Sequence, residues 1–296
     1  MPLTRRDFLK WSGLGLGLSV LEGPHVLSMD VNPATADGLA ILYDPTKCVG
    51  CRACQAACKR WNNLPPEPDP QGLYEAPRSL SAKTWNLIKV TIRDPSDWHF
   101  FSYQCMHCAD AACVTVCPSG ALFKDAQGFT GFNRDRCIGC GYCTQFCPYG
   151  VPHLEVVNIL TGEAKAAKCT FCQDRIWNGL GGPSCAEACP TGALTWGARA
   201  DLVERGQARA AELRAQGRSN ARLYGLTEAQ GLHRLSILLD EPARYGLPED
   251  PVLPLVAKVW RIGGRWLAGL AGAATLAGVL GSWLISRRAI KMEQVE

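Results

Sequence analysis

The cysteines constrain what this chain can fold into more than any other feature. They form four groups of four with none left over: Cys48, Cys51, Cys54 and Cys58; Cys105, Cys108, Cys113 and Cys117; Cys137, Cys140, Cys143 and Cys147; Cys169, Cys172, Cys185 and Cys189. Sixteen thiols in 296 residues leave three uses for them, which are disulfide bridges, structural zinc and iron–sulfur clusters.

The spacing within the groups favours the third use. Groups one and three share the pattern Cys-x2-Cys-x2-Cys-x3-Cys, whereas group two has x4 and group four x12 in the middle gap. Three such thiolates surround three corners of one iron–sulfur cube, and the fourth reaches a second cluster. Zinc usually takes two separated cysteine pairs, so it fits poorly. The sequence therefore predicts four 4Fe–4S clusters.

Internal repeats predict the fold class. Residues 44–51 are echoed by residues 133–140, and Cys-Pro-Ser-Gly-Ala-Leu at 117–122 by Cys-Pro-Thr-Gly-Ala-Leu at 189–194. We expect an α+β fold of duplicated bacterial ferredoxin-like domains, in which each motif is a loop that enters a short helix. Spacing alone leaves the pairing of the groups open. The 19 residues between groups two and three and the 21 between groups three and four would both permit a two-cluster unit.

The N-terminus has the pattern of a twin-arginine export signal. Arg5 and Arg6 precede Phe-Leu-Lys and a short apolar run, and Ala-Thr-Ala at 34–36 is a candidate cleavage site. We expect a signal peptide over 1–36 and a mature chain from Asp37. An exported protein would ordinarily be expected to form disulfides. Because this route carries folded proteins, however, clusters inserted in the cytoplasm would be buried before an oxidant arrives.

The C-terminus predicts a membrane anchor. Residues 266–286 carry no charge over 21 positions, and a helix of that length spans roughly 31 Å. We expect a transmembrane helix over 262–286 and a cytoplasmic tail over 287–296. The flanking positive charges are balanced, so the export signal decides the orientation and places the folded body outside.

Between these ends we expect two segments. Residues 37–200 form the four-cluster domain, with a surface insertion at 59–104, and residues 201–257 form an extension with a helix over 201–218 and a strand over 234–240. A net charge of +4 gives no reason to expect nucleic acid as a partner.

Several stretches resemble the β subunit of membrane-bound respiratory formate dehydrogenase. They are residues 80–85 and 245–251, which contain no cysteine, and residues 104–108, 136–143 and 168–175, which surround cysteines. The resemblance implies a nested set of ligands, one set per cluster: Cys48, Cys51, Cys54 and Cys189 (set 1); Cys58, Cys169, Cys172 and Cys185 (set 2); Cys105, Cys108, Cys113 and Cys147 (set 3); Cys117, Cys137, Cys140 and Cys143 (set 4).

The resemblance also implies a non-catalytic electron-transfer subunit in the inner membrane, with its clusters on the extracytoplasmic side. Its donor would be an exported molybdenum or tungsten formate dehydrogenase subunit, and its acceptor a membrane cytochrome b or other quinone-reactive subunit. Because the export leader is typical of the related subunit of periplasmic nickel–iron hydrogenase, that enzyme is the alternative donor.

The sequence alone leaves two other classes of protein open. A disulfide- or zinc-stabilised, membrane-anchored binding protein would use the thiols without redox chemistry, and a redox enzyme acting alone would need a substrate site. No Ser/His/Asp order or pair of carboxylates indicates such a site. His107, between two cysteines of group two, is either a loop residue or a hydrogen-bond donor to a cluster.

Overall fold

The computed structural model describes the following residues: 38–67, 77–252, 255, 257 and 265–293, the last with side chains over 269–287. The chain divides into two units. The body over 38–252, which contains all sixteen cysteines, and the C-terminal helix are therefore described separately. The export signal predicted over 1–36 lies outside the described residues.

The body mixes short strands with mostly short helices, which is the predicted α+β class. Its strands are β1 Leu39–Tyr43, β2 Asn86–Asp94, β3 Asp97–Gln104, β4 Leu122–Lys124, β5 Thr130–Phe132, β6 His153–Asn158, β7 Glu163–Ala167, β8 Leu194–Ala198, β9 Arg222–Tyr224 and β10 Arg234–Leu238. Its helices are α1 Ala53–Trp61, α2 Ala112–Thr115, α3 Tyr142–Phe146, α4 Gln173–Trp177, α5 Ser184–Glu187 and α6 Arg199–Ala215. Helices α1 to α5 each begin within a cysteine group.

A four-stranded sheet in the order β8-β1-β10-β9 joins the two ends of the body. Strand β1 is parallel to β10 and antiparallel to β8, so Ile41 lies opposite both Arg234 and Trp196. Strand β9 pairs with β10 in the antiparallel sense. The segment predicted as a C-terminal extension therefore supplies two strands of the sheet to which β1 belongs.

The two faces of β1 pack into different cores, because successive side chains of a strand point to opposite faces. Leu42 packs with Leu202 and Leu213 of α6. Tyr43 instead packs in a cluster that includes the thiol of Cys54. The sheet thus separates α6, close to the helix predicted over 201–218, from the cysteine loops.

Three antiparallel hairpins, β2–β3, β4–β5 and β6–β7, complete the body. The first corrects one expectation, since residues 86–104 were predicted to belong to a surface insertion. Leu87 and Phe101 of this hairpin are 1% and 0% exposed, and the Phe101 ring meets the Tyr43 ring edge-on at 5.6 Å. This half of the insertion is therefore part of the core beside the first cysteine group.

The second unit contains one long helix, α7, over Arg265–Glu293. Its segment Gly269–Arg287 has a mean hydropathy of 1.5 over its most apolar window and is not buried by the described residues. By length and composition this helix can cross a membrane, as predicted for residues 262–286.

Candidate iron–sulfur centres

Every cysteine group has a left-handed residue directly before its second cysteine. The φ angle at this position is 68° at Gly50 and 73° at Gly139 in groups one and three. Groups two and four adopt the same conformation at His107, with φ 48°, and Phe171, with φ 63°. This conformation reverses the chain between the first two cysteines, so the same local turn is built four times from different residues.

Residues of neighbouring strands lie very close to the glycines of two of these turns. A Cβ atom on Gly50 would lie 2.4 Å from the ring of Phe100 in β3, and one on Gly139 would lie 2.3 Å from the carbonyl oxygen of Ala164 in β7. The hairpins β2–β3 and β6–β7 therefore close directly onto the loops of groups one and three.

Two sets of thiols line cavities. The first cavity is lined by four cysteines from two distant groups: Cys48, Cys51, Cys54 and Cys189. The second is likewise lined by three cysteines of one group and one of another: Cys105, Cys108, Cys113 and Cys147. In both, the fourth thiol crosses over from another group.

The remaining cysteines interact within the other two predicted sets. Burial raises the pKa of Cys58 well above its usual range, and the next contributions come from group-four thiols: Cys169, Cys185 and Cys172. Burial also raises the pKa of Cys143 to about 11, followed by contributions from three further thiols: Cys117, Cys137 and Cys140. The structure thus brings together the members of all four predicted sets.

The chemistry of these sets fits an iron–sulfur cluster. Burial is the main reason that the pKa of Cys54 rises to about 11 and that of Cys169 to about 12. Four thiolates in such a place repel each other and require a cationic centre that accepts soft ligands. No two of the sixteen cysteines are bridged, and within the described ranges no three His, Cys, Asp or Glu side chains converge on a single-ion site.

Backbone N–H groups point at several of the sulfurs. The amide of Phe171 donates to Cys169 Sγ at 3.4 Å, and the amide of Leu194 donates to Cys189 Sγ at 3.4 Å. The Ala166 amide donates to the sulfur of Cys137 at 3.3 Å. Such bonds stabilise negative charge on a ligating sulfur, which is the state that a bound cluster requires.

His107 makes a side-chain contact of the same kind. Its ring is fully buried, and Nε2 lies 3.4 Å from Cys169 Sγ. The Thr130 amide donates to Nδ1 at 3.2 Å, so Nδ1 is an acceptor. Burial lowers the pKa of His107 well below its usual value, so the neutral ring carries its proton on Nε2 and donates it to the sulfur. The geometry favours the hydrogen-bonding interpretation of His107 over the loop-residue one.

The four sets neighbour one another in a row. Cys54 of set 1 acts electrostatically on Cys58 and Cys185 of set 2. Cys105 of set 3 likewise raises the pKa of Cys169 of set 2, and Cys143 of set 4 contributes to the raised pKa of Cys113 of set 3. Sets 1 and 4 therefore lie at the two ends of this row.

Exposure distinguishes the ends of the row from its middle. Cys51 in set 1 and Cys140 in set 4 are the two exposed cysteines, whereas every cysteine of set 2 is buried. An apolar residue stands two positions before each exposed cysteine, Val49 at 63% exposure and Ile138 at 66%. Each end of the row thus reaches the surface beside an exposed apolar side chain.

Two buried cations beside the thiols were not predicted from the sequence. Lys168 is 1% exposed, and its ammonium donates to the carbonyl oxygens of Thr130 at 2.9 Å and Cys169 at 2.8 Å. Arg234, also 1% exposed, begins β10. Lys168 directly precedes a cysteine, which is a sequence signal. Arg234 is distant in sequence from every cysteine, and only the pairing of β10 with β1 reveals its position.

Comparison with known proteins agrees with this geometry. Two family models, each described as a 4Fe-4S dicluster domain, match residues 47–121 and 96–199, a span that includes all sixteen cysteines. The nitrate-inducible formate dehydrogenase iron–sulfur subunit of Escherichia coli K12 is 36% identical over 250 residues, which cover 82% of this chain and 83% of the relative.

Two further relatives extend the comparison. The formate dehydrogenase-O iron–sulfur subunit of Escherichia coli K12 is 38% identical over 81% of this chain and 80% of its own length. The hydrogenase-2 operon protein HybA of Escherichia coli O157:H7 is 35% identical over 71% of this chain and 67% of its own. The chain belongs to the family of iron–sulfur electron-transfer proteins that includes the iron–sulfur subunits of formate dehydrogenase.

Proposed function

We propose that this chain holds four 4Fe–4S clusters, one in each of sets 1 to 4, and passes electrons between two partner subunits of a respiratory oxidoreductase. The observation that carries the proposal is the row of four thiol sets, each assembled from two cysteine groups. The clusters supply one-electron redox chemistry, with potentials that the protein adjusts through hydrogen bonds, charge and exposure.

The exposed ends of the row support a role between two partners. The buried set 2 is insulated from solvent, whereas Cys51 and Cys140 bring sets 1 and 4 to the surface. An electron can then enter at one end and leave at the other without any substrate binding to this chain. Val49 and Ile138 give each end an apolar contact for a partner protein.

We assign the catalytic partner as a molybdenum or tungsten formate dehydrogenase subunit. The assignment is supported by two formate dehydrogenase relatives at 36% and 38% identity, each over more than 80% of this chain. The alternative, a nickel–iron hydrogenase, is supported by the likeness to HybA over 71% of the chain and by the predicted export signal.

The membrane partner in this proposal is a cytochrome b or other quinone-reactive subunit. Helix α7, with its apolar segment Gly269–Arg287, anchors the chain once in the inner membrane. If residues 1–36 export the protein, the body with its clusters lies on the extracytoplasmic side and the C-terminus in the cytoplasm.

The test is to purify the complex from membranes without oxygen and to assay iron, sulfide, molybdenum, tungsten, nickel and zinc. We expect four 4Fe–4S equivalents per chain, reducible clusters in electron paramagnetic resonance, and molybdenum or tungsten in the complex. Nickel in place of molybdenum or tungsten would favour the hydrogenase alternative. Zinc or disulfides in a colourless sample would contradict the electron-transfer role.

A further inference from the structure

Arg234 is a fully buried charged side chain that lacks a carboxylate partner. Its guanidinium donates to the carbonyl oxygen of Leu235 at 3.1 Å and, at the long distance of 3.5 Å, to that of Ser102. Its Nε is buried and has no hydrogen-bond partner among the described residues. None of the ion pairs formed by the described residues includes it. Its positive charge is therefore not balanced by any described Asp or Glu.

The surroundings of Arg234 indicate what balances this charge. Burial lowers its pKa, while the negative forms of Cys185, Tyr43, Cys54 and Cys169 act in the opposite direction and favour the cation. The guanidinium carbon lies 5.1 Å from the centre of the Tyr43 ring. Burial strongly raises the pKa of Tyr43, so that side chain stays neutral. Tyr43 packs in one core cluster with Cys54 of set 1 and Cys185 of set 2. The anions that remain beside Arg234 therefore belong to these two sets.

A buried guanidinium is energetically unfavourable at a position where a side chain only has to fill space. A buried charge without a partner destabilises the folded chain, and an apolar side chain of similar volume would pack there without that cost. Lys168 is equally buried, but its ammonium is held by two short hydrogen bonds to carbonyl oxygens. The Arg234 guanidinium makes one hydrogen bond of ordinary length with the described residues. One bond does not offset the cost of burying its charge, so the charge needs an anionic partner.

We propose that Arg234 is the internal counter-ion of the clusters in sets 1 and 2, and that it raises their reduction potentials. The inference rests on the proposed cluster ligation. Reduction adds one electron to a cluster, changing its core from 2+ to 1+ without making or breaking a bond. The negative charge of the ligated cluster grows by one, so a fixed cation beside it stabilises the reduced form.

The experiment compares Arg234→Met with Arg234→Lys in the purified complex. Methionine removes the charge while keeping an unbranched chain, and lysine keeps the charge. The control is Arg205→Met on the exposed face of α6. Each protein is titrated with dithionite while the clusters are followed by electron paramagnetic resonance. The signals of sets 1 to 4 are assigned with one serine variant each, in the same order: Cys54→Ser, Cys185→Ser, Cys105→Ser and Cys143→Ser.

We expect R234M to lower the midpoint potential in sets 1 and 2 by at least 59 mV, which is a tenfold change in the equilibrium constant of a one-electron couple. Sets 3 and 4 should keep their potentials, and R234K and R205M should match the wild type. Four clusters with unchanged potentials in R234M, or equal shifts in R234M and R234K, would overturn the proposal.

If R234M assembles incompletely, the iron content replaces the potential as the readout. The proposal then requires loss of clusters from R234M and retention in R234K, whereas equal loss in both variants overturns it. Failure of the proposed function is distinguishable, because it would appear in the wild-type complex as fewer than four 4Fe–4S equivalents.

Discussion

At the scale of single residues, the imidazole of His107 is expected to set the potential of one cluster. Its Nε2 donates to Cys169 Sγ at 3.4 Å, and such a bond strengthens as the sulfur gains negative charge on reduction. In His107→Asn the left-handed backbone is retained, because Asn tolerates positive φ, and the ring is lost. We expect the potential of set 2 to fall by roughly 40 mV, equivalent to about 1 kcal/mol for a one-electron couple.

The measurement for His107→Asn is the same redox titration, and the clusters of sets 1 and 4 serve as controls within one molecule. A uniform shift of all four potentials, or none at all with iron content intact, would contradict the assigned hydrogen bond. The sequence placed His107 between two ligands but left its role open, because the direction of a buried side chain depends on residues distant in sequence. Here that residue is Thr130, whose amide fixes the tautomer.

At the scale of elements, the turn of group three and the hairpin β6–β7 are expected to depend on each other for their structure. A Cβ on Gly139 would lie 2.3 Å from the carbonyl oxygen of Ala164, and its φ of 73° already disfavours other residues. In Gly139→Ala either the turn or the hairpin must move. We expect destabilisation by about 2–4 kcal/mol, combining left-handed strain and overpacking, and loss of the 4Fe–4S equivalent held by set 4.

Gly162→Ala is the matched control for Gly139→Ala. Gly162 has nearly the same φ of 69°, yet no heavy atom of the part of the chain that the structure describes lies within 4 Å of a Cβ placed there. This variant should keep all four clusters by iron and sulfide assay and lose only about 1–2 kcal/mol to backbone strain. Equal iron contents in the two variants would show that the contact with β7 does not support the turn.

Some secondary-structure elements of this fold are predictable from the sequence, and others are not. Cysteine spacing is local, and it predicts the loop and the short helix of each group. The pairing of Cys189 with group one depends on contacts between distant segments, so it required a resemblance to a known family. The hairpin over 86–104 was missed because its apolar residues lie on both faces, Phe101 buried and Trp98 exposed at 55%. Alternation alone does not indicate which face meets the core.

At the scale of the whole molecule, the row of four sets has two exposed ends that we expect to bind different partners. Val49 and Ile138 occupy the same position in the repeated turns of groups one and three, each next to the glycine that precedes an exposed cysteine. A charge introduced there must be desolvated when an apolar interface closes over it. Val49→Glu and Ile138→Glu should each weaken binding of one partner subunit at least tenfold, which corresponds to about 1.4 kcal/mol.

Affinity purification of the complex, with quantification of each co-purified subunit, tests this expectation. The two variants should lose different subunits and keep four 4Fe–4S equivalents, because both side chains are more than half exposed, although Val49 also borders the cavity of set 1. Gln207→Glu, exposed on α6 across the sheet from the thiols, adds the same charge and should keep both partners. Loss of the same subunit from both variants would mean that the two ends share one partner, and an electron could not then cross this chain from one subunit to another.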